Sequence, residues 1–151
     1  MDPIERIRVP WSEVDELPGR DFTSRWIHVA PEIRALFERA SYIDLNEHRL
    51  AGFPTDLIEG FHLLSLLDHL ANGVLSIDDP GWSGLNYGFD RVRFVSPVHV
   101  GDRFRLIGHV ESVTSKGDAR LVRLRCALEV EGGSRPAVAA DWLVYWMAEG
   151  A

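Results

Sequence analysis

The segment ASYIDLNEHRLAGFPTDLIEGFHLL, residues 40–64, gathers Asp44, Glu47, His48, Asp56, Glu59 and His62 into a stretch that then becomes almost wholly apolar. Carboxylates and imidazoles exchange protons readily, so this density at the mouth of an apolar helix suits general acid–base chemistry. The plainer alternative is a solvated loop that happens to precede a core helix. Asp44 and His48 are the first candidates, as a carboxylate–imidazole dyad that activates water or abstracts a substrate proton. Glu59, between Ile58 and Gly60, either only complements the positive end of a helix dipole or acts as a further acid/base. His62 lies one helical turn beyond Glu59, so the two side chains can meet, although a histidine on a buried helix is more often structural. Asp44, His48, Glu59 and His62 are all permitted metal ligands, but their spacing matches no metal motif, and no metal or cofactor is expected. The sequence carries no nucleophile motif, phosphate-cradling loop or dinucleotide fingerprint.

These groups need elements to hold them. DFTSRWIHV (21–29) reads as a short strand. Pro31 suits the first turn of a helix that continues through EIRALFERA. There Ile33, Leu36 and Phe37 form the apolar stripe, with Glu32, Arg34, Glu38 and Arg39 expected to face water. From Leu57 to about Leu75 the chain is apolar round most of its circumference, which predicts a helix buried on nearly all sides. His62, Ser65, His69 and Asn72 leave one narrow polar stripe along it. Strand patterns follow over 85–98 and in three further segments. Val122, Leu124, Cys126, Leu128 and Val130 alternate with Arg123, Arg125 and Glu129, as a half-buried strand requires. The last three strands are joined by short Gly-containing turns, which implies antiparallel hairpins. One long apolar helix followed by four strands predicts an α+β hotdog fold, a curved antiparallel sheet wrapped around a central helix.

The chain has 151 residues, 46% hydrophobic and 26% charged, and is expected to form one domain over 1–151 with 1–20 as an N-terminal extension. Its net charge of −7 argues against nucleic acid or an anionic membrane as partner. Arg91, Arg93, Arg103 and Arg105 are close enough in sequence to form a local basic patch for a phosphorylated ligand. Cys126 is the only cysteine, and the N-terminus lacks a basic-then-apolar signal segment, so a reducing cytoplasm is the expected compartment.

The block LNYGFDRVRFVSPVHVGDRFR resembles the strand–turn–strand signature of the MaoC-like dehydratases, and of their NodN-like branch in particular. It carries Asn86, Tyr87, Gly88, Arg93, Phe94, Pro97, Val98, Gly101 and Asp102 in the pattern of that branch. SRWIHVAPEIRALFERAS and LIEGFHLLSLL resemble the strand and helix before the family's site and the start of its central helix. The resemblance implies a hotdog protein that pairs as a dimer or a higher assembly and holds an acyl thioester in a tunnel. It further implies addition of water to an α,β-unsaturated acyl-CoA, or its removal from a 3-hydroxyacyl-CoA. Asp44 and His48 would move the protons, and the amide of Gly60 would hold the thioester oxygen. Phe61, His62, Asn86 and Tyr87 would contact substrate.

The motif also departs from the family. Glu47 stands where a proline is usual, His48 arrives one position early, and Glu59-Gly60 replaces His-Gly at the helix start. Two further functions therefore stand beside the hydratase/dehydratase: a thioesterase, isomerase or cyclase working through Glu59, and a non-catalytic ligand-binding or partner subunit.

Overall fold

The computed structural model describes residues 4–45 and 54–148. Strand β1 (Ile7–Val9) is followed by a 3-10 turn over Trp11–Glu16 and by β2 (Asp21–Thr23). Helix α1 (Pro31–Ala40) and a 3-10 turn over Ile43–Leu45 come next, then helix α2 (Gly60–Asn72) and β3 (Leu75–Ile77). Four long strands complete the chain: β4 (Trp82–Phe94), β5 (Phe104–Lys116), β6 (Ala119–Val130) and β7 (Val138–Ala148).

The main sheet is antiparallel, in the order β2-β5-β6-β7-β4. The expected hairpins join β5 to β6 and β6 to β7, whereas β4 crosses to the far edge and pairs with β7. Helix α2 packs on the inner face of this sheet, so the expected α+β hotdog architecture is present. The inward residues of β6 are those the alternation picks out, with Val122, Leu124, Cys126 and Leu128 all buried. Gly108 on β5 is a packing necessity: a Cβ there would lie 2.1 Å from the Phe22 ring, which is itself buried. The short β1 lies parallel to β3, and Ile7, Val14 and Leu17 from the first 20 residues all enter the core.

Several expectations are corrected. The strand over 21–29 is ordered as β2 only to Thr23, with Ile27 making an isolated bridge to Phe104. The long helix begins at Gly60 and ends at Asn72; beyond it Leu75 belongs to β3. It also buries one side rather than nearly all: Leu63, Leu67, Leu70 and Ala71 face the sheet, while Phe61 is 72% exposed. The largest reversal is in α1. Ile33 and Leu36 point outward at 46% and 51% exposure, and Glu38 is buried. The reason is tertiary: Arg34, Phe37 and Glu38, at i, i+3 and i+4, form the stripe that meets the start of α2, where polar groups are waiting for them.

Candidate active site at the start of the central helix

Glu59 is the residue that caps α2, with extended backbone angles and no side-chain bond to the helix's own amides. The first N–H groups of the helix, beginning at Gly60, are thus not capped by the Glu59 side chain, and they carry the positive end of the dipole. The carboxylate turns instead to α1. The Arg34 guanidinium donates to Glu59 Oε1 at 3.2 Å and meets Glu38 Oε1 at 2.8 Å, while its Nε donates to the Leu57 carbonyl at 2.7 Å. All three side chains are largely shielded, at 12% for Arg34, 11% for Glu38 and 19% for Glu59. The Arg34 cation therefore sits between two carboxylates in a poorly solvated space, where electrostatic interactions are strong.

His62 lies one turn into the helix, buried, with its ring stacked on Phe37 at 4.4 Å and an interplanar angle of 6°. Burial pushes its pKa below the ordinary 6.5, against the opposing pull of Glu59 and with a smaller contribution from Arg34 in the same direction as burial. The imidazole is neutral at pH 7. Its Nδ1 has no hydrogen-bond partner among the described residues.

Gly60 opens onto a cleft of about 420 Å³ that is also lined by Ile58, Phe61, Phe94, Ser96 and Pro97. The helix backbone and the Phe94 ring are so close that a Cβ on Gly60 would sit 2.8 Å from the ring carbons. Phe61 and Phe94 meet edge to face at 6.0 Å, which gives the cleft an aromatic wall.

Other expected site residues fall in different places. Asp44 is in the exposed 3-10 turn after α1, and among the described residues no side-chain hydrogen bond or ion pair holds it. His48 lies outside the described residues. Asn86 accepts a hydrogen bond from the buried Trp142 indole at 3.0 Å, on the inner face of the sheet. Tyr87 stacks on Tyr145 and so lies on the opposite face, since Trp142 and Tyr145 are three apart on β7.

The four arginines do not form one patch. Arg91 and Arg93 are on β4 at one edge of the sheet, and Arg91 pairs with Asp141. Arg103 and Arg105 lie near or on β5, paired with Glu131 and Glu129 and flanking the Trp26 ring. They line a larger cavity of about 540 Å³ with Thr23, Arg25 and Trp26, which includes neither Glu59 nor Gly60. Arg34 and Phe94 are the site residues that the sequence reading missed. Arg34 and Glu38 are expected from sequence to face water; only the meeting of α1 and α2 turns them inward as an i,i+4 ion pair.

No protein-family model matches the chain. It is 33% identical to nodulation protein N of Rhizobium meliloti over 147 residues, covering 87% of this chain and 88% of that protein. The chain belongs to the MaoC-like hotdog family, in its NodN-like branch. A 3-hydroxyacyl-thioester dehydratase Z of Mycobacterium tuberculosis is 30% identical over 132 residues, with 83% of this chain and 87% of that protein covered. Among solved structures, the MaoC-like dehydratase of Rhodospirillum rubrum superposes with a TM-score of 0.65 at 17% identity, covering 91% of this chain and 98% of the other. The R-hydratase PhaJ1 of Pseudomonas aeruginosa gives 0.67 at 21% identity, covering 95% and 87%. At these identities the structures bear on the fold alone. Among the described residues of this MaoC-like chain, no helix is long and apolar enough to cross a membrane.

Proposed function

We propose that the protein is a hydratase/dehydratase-type lyase that acts on an acyl thioester by general acid–base catalysis. The observation that carries this reading is the start of α2. A helix terminus that the Glu59 side chain does not cap opens through Gly60 onto an aromatic cleft, with a shielded carboxylate on the preceding residue. The 3-hydroxyacyl-thioester dehydratase among the relatives supports the substrate class.

In the hydration direction the thioester carbonyl lies against the Gly60 N–H. A base takes a proton from water as its oxygen attacks the β-carbon, and the α-carbon recovers a proton as the enolate collapses. The negative charge that develops on the thioester oxygen meets the helix N-terminus, where preorganised donors are most effective. Glu59 supplements or replaces the usual dyad, and Asp44 and His48 remain the assigned proton carriers of the preceding loop. Phe61 and Phe94 flank the acyl chain, whereas Asn86, held by Trp142 eight residues along β4 from Phe94, and Tyr87, on the outer face, are less suited to substrate. The working unit is a homodimer or higher homo-oligomer, supported by the open edge of β4 and by the exposed Leu85, Phe61 and Phe94. The cytoplasm is the proposed compartment.

The test is mass spectrometry of enoyl-CoA, 3-hydroxyacyl-CoA and saturated acyl-CoA thioesters incubated with wild type and Glu59→Gln. Gain or loss of one water with the thioester intact is the expected result, slowed in the variant. Release of free CoA would replace the lyase with a thioesterase, and no turnover on any member of the panel would overturn the catalytic reading.

A further inference from the structure

We propose that Arg34 is a positioning residue: its guanidinium fixes the Glu59 carboxylate and the peptide leading to Gly60 in the geometry that the reaction needs. This rests on the reading of Glu59 as a proton carrier. The case is geometric. The planar fork of one guanidinium serves two parts of the segment that leads into α2, the Leu57 carbonyl at 2.7 Å and Glu59 Oε1 at 3.2 Å. Leu57 is further tied by a bridge to His99, and the Ile58 amide donates to the Val98 carbonyl at 2.8 Å, so the segment is clamped from the sheet side as well. Arg34 is the clamp on the helix side. It is itself steadied by Glu38 at 2.8 Å, one turn along α1.

A lysine cannot reproduce this arrangement, because an ammonium is a point charge without a fixed fork. The other groups that face Glu59 among the described residues are Glu38 from α1 and His62 from α2, and neither supplies a fixed positive charge. Arg34 thus places Glu59 and sets a fixed positive charge against its Oε1. Misplacing a catalytic group by about 1 Å can cost on the order of a hundredfold in rate, so an effect of tenfold to a hundredfold is the expected scale.

The experiment is a double-mutant cycle in kcat and KM, using the thioester that wild type turns over. Arg34→Gln is expected to lower kcat by roughly tenfold to a hundredfold with little change in KM. In the Glu59→Gln background the same substitution should cost several-fold less than in wild type, because only the tie to the Leu57 carbonyl is then left to lose. Arg34→Lys should recover part of the loss, and it carries the same cycle if Arg34→Gln does not fold. An equal loss in both backgrounds would reduce Arg34 to a structural residue and overturn the proposal, as would no loss in wild type. Full turnover by Glu59→Gln would instead sink the reading of Glu59, and the role of Arg34 with it.

Discussion

The ring of Phe94 covers the first residue of α2 so closely that Gly60 has no room for a methyl group: a Cβ would stand 2.8 Å from ring carbons Cδ1 and Cε1. Phe94 is 50% exposed, so its ring can swing away. Gly60→Ala should therefore cost little stability, about 1 kcal/mol or less, since overpacking is expensive chiefly where neighbours cannot move. The displaced ring would close on the cleft. Turnover of the thioester should fall much further than the melting temperature, and Gly60→Ala combined with Phe94→Ala should recover part of the rate. A large loss of Tm with turnover per folded molecule intact would contradict this account.

Asn86 is best tested through Trp142. Its side-chain oxygen accepts the indole N–H at 3.0 Å, and Trp142 is only 2% exposed. Asn86→Ala leaves that buried donor without its partner, which typically costs about 1–3 kcal/mol. Asn86→Asp keeps an acceptor and should be milder. Urea unfolding followed by tryptophan fluorescence measures both. A loss of activity in Asn86→Asp with unchanged stability would point to a direct substrate contact instead.

His62 makes a pH-dependent contribution whose sign is fixed by burial. Its folded pKa is below 6.5, so between the two values the unfolded chain holds more protons than the native one. Stability is therefore full above about pH 6.5 and declines as pH falls toward the folded value, with a slope of at most about 1.4 kcal/mol per pH unit. His62→Phe retains a flat ring to stack on Phe37 and cannot take up a proton. Its stability relative to wild type should be level from pH 8 to about pH 6.5 and improve from there to pH 5, as read by thermal melts across that range. Parallel curves for the two proteins would refute the assignment.

The parts of this molecule that the sequence revealed are those set by a single element's own periodicity. The inward face of β6, Pro31 at the start of α1 and the hairpins through β5, β6 and β7 all follow from local pattern and turn chemistry. The orientation of α1 does not. Ile33 and Leu36 have the residue types of a core stripe, yet the helix turns Arg34 and Glu38 inward because Glu59 and the Leu57 carbonyl offer them partners. Those partners lie more than 20 positions away, beyond any local window. The same applies to the cleft. Gly60 was legible as a helix start, but Phe94, from the far edge of the sheet, was not legible as its cover. Chemistry-bearing residues can be found by spacing, but the groups that hold them in place come from elsewhere in the chain.

The open edge of β4 yields the last prediction. This strand has 13 residues and, among the described residues, pairs on one side only, with β7. Edge strands are usually shortened, charged or bulged to prevent pairing. Here there are two irregularities, between Asn86 and Gly88 and between Phe89 and Arg91, while Leu85 at 56% and Tyr87 at 66% remain exposed beside them. On the inner side Phe61 and Phe94 are also exposed, at the mouth of the cleft. A second copy of the chain that covered this edge would bury these groups and shield the cleft from water together. Light scattering should then report a dimer or a larger assembly, and Leu85→Lys, which lies outside the cleft, should shift it toward monomer. Because Phe94 at the end of the same strand borders the cleft, the monomeric variant should lose turnover as well. A wild type that is monomeric at micromolar concentration and fully active would rule out this arrangement.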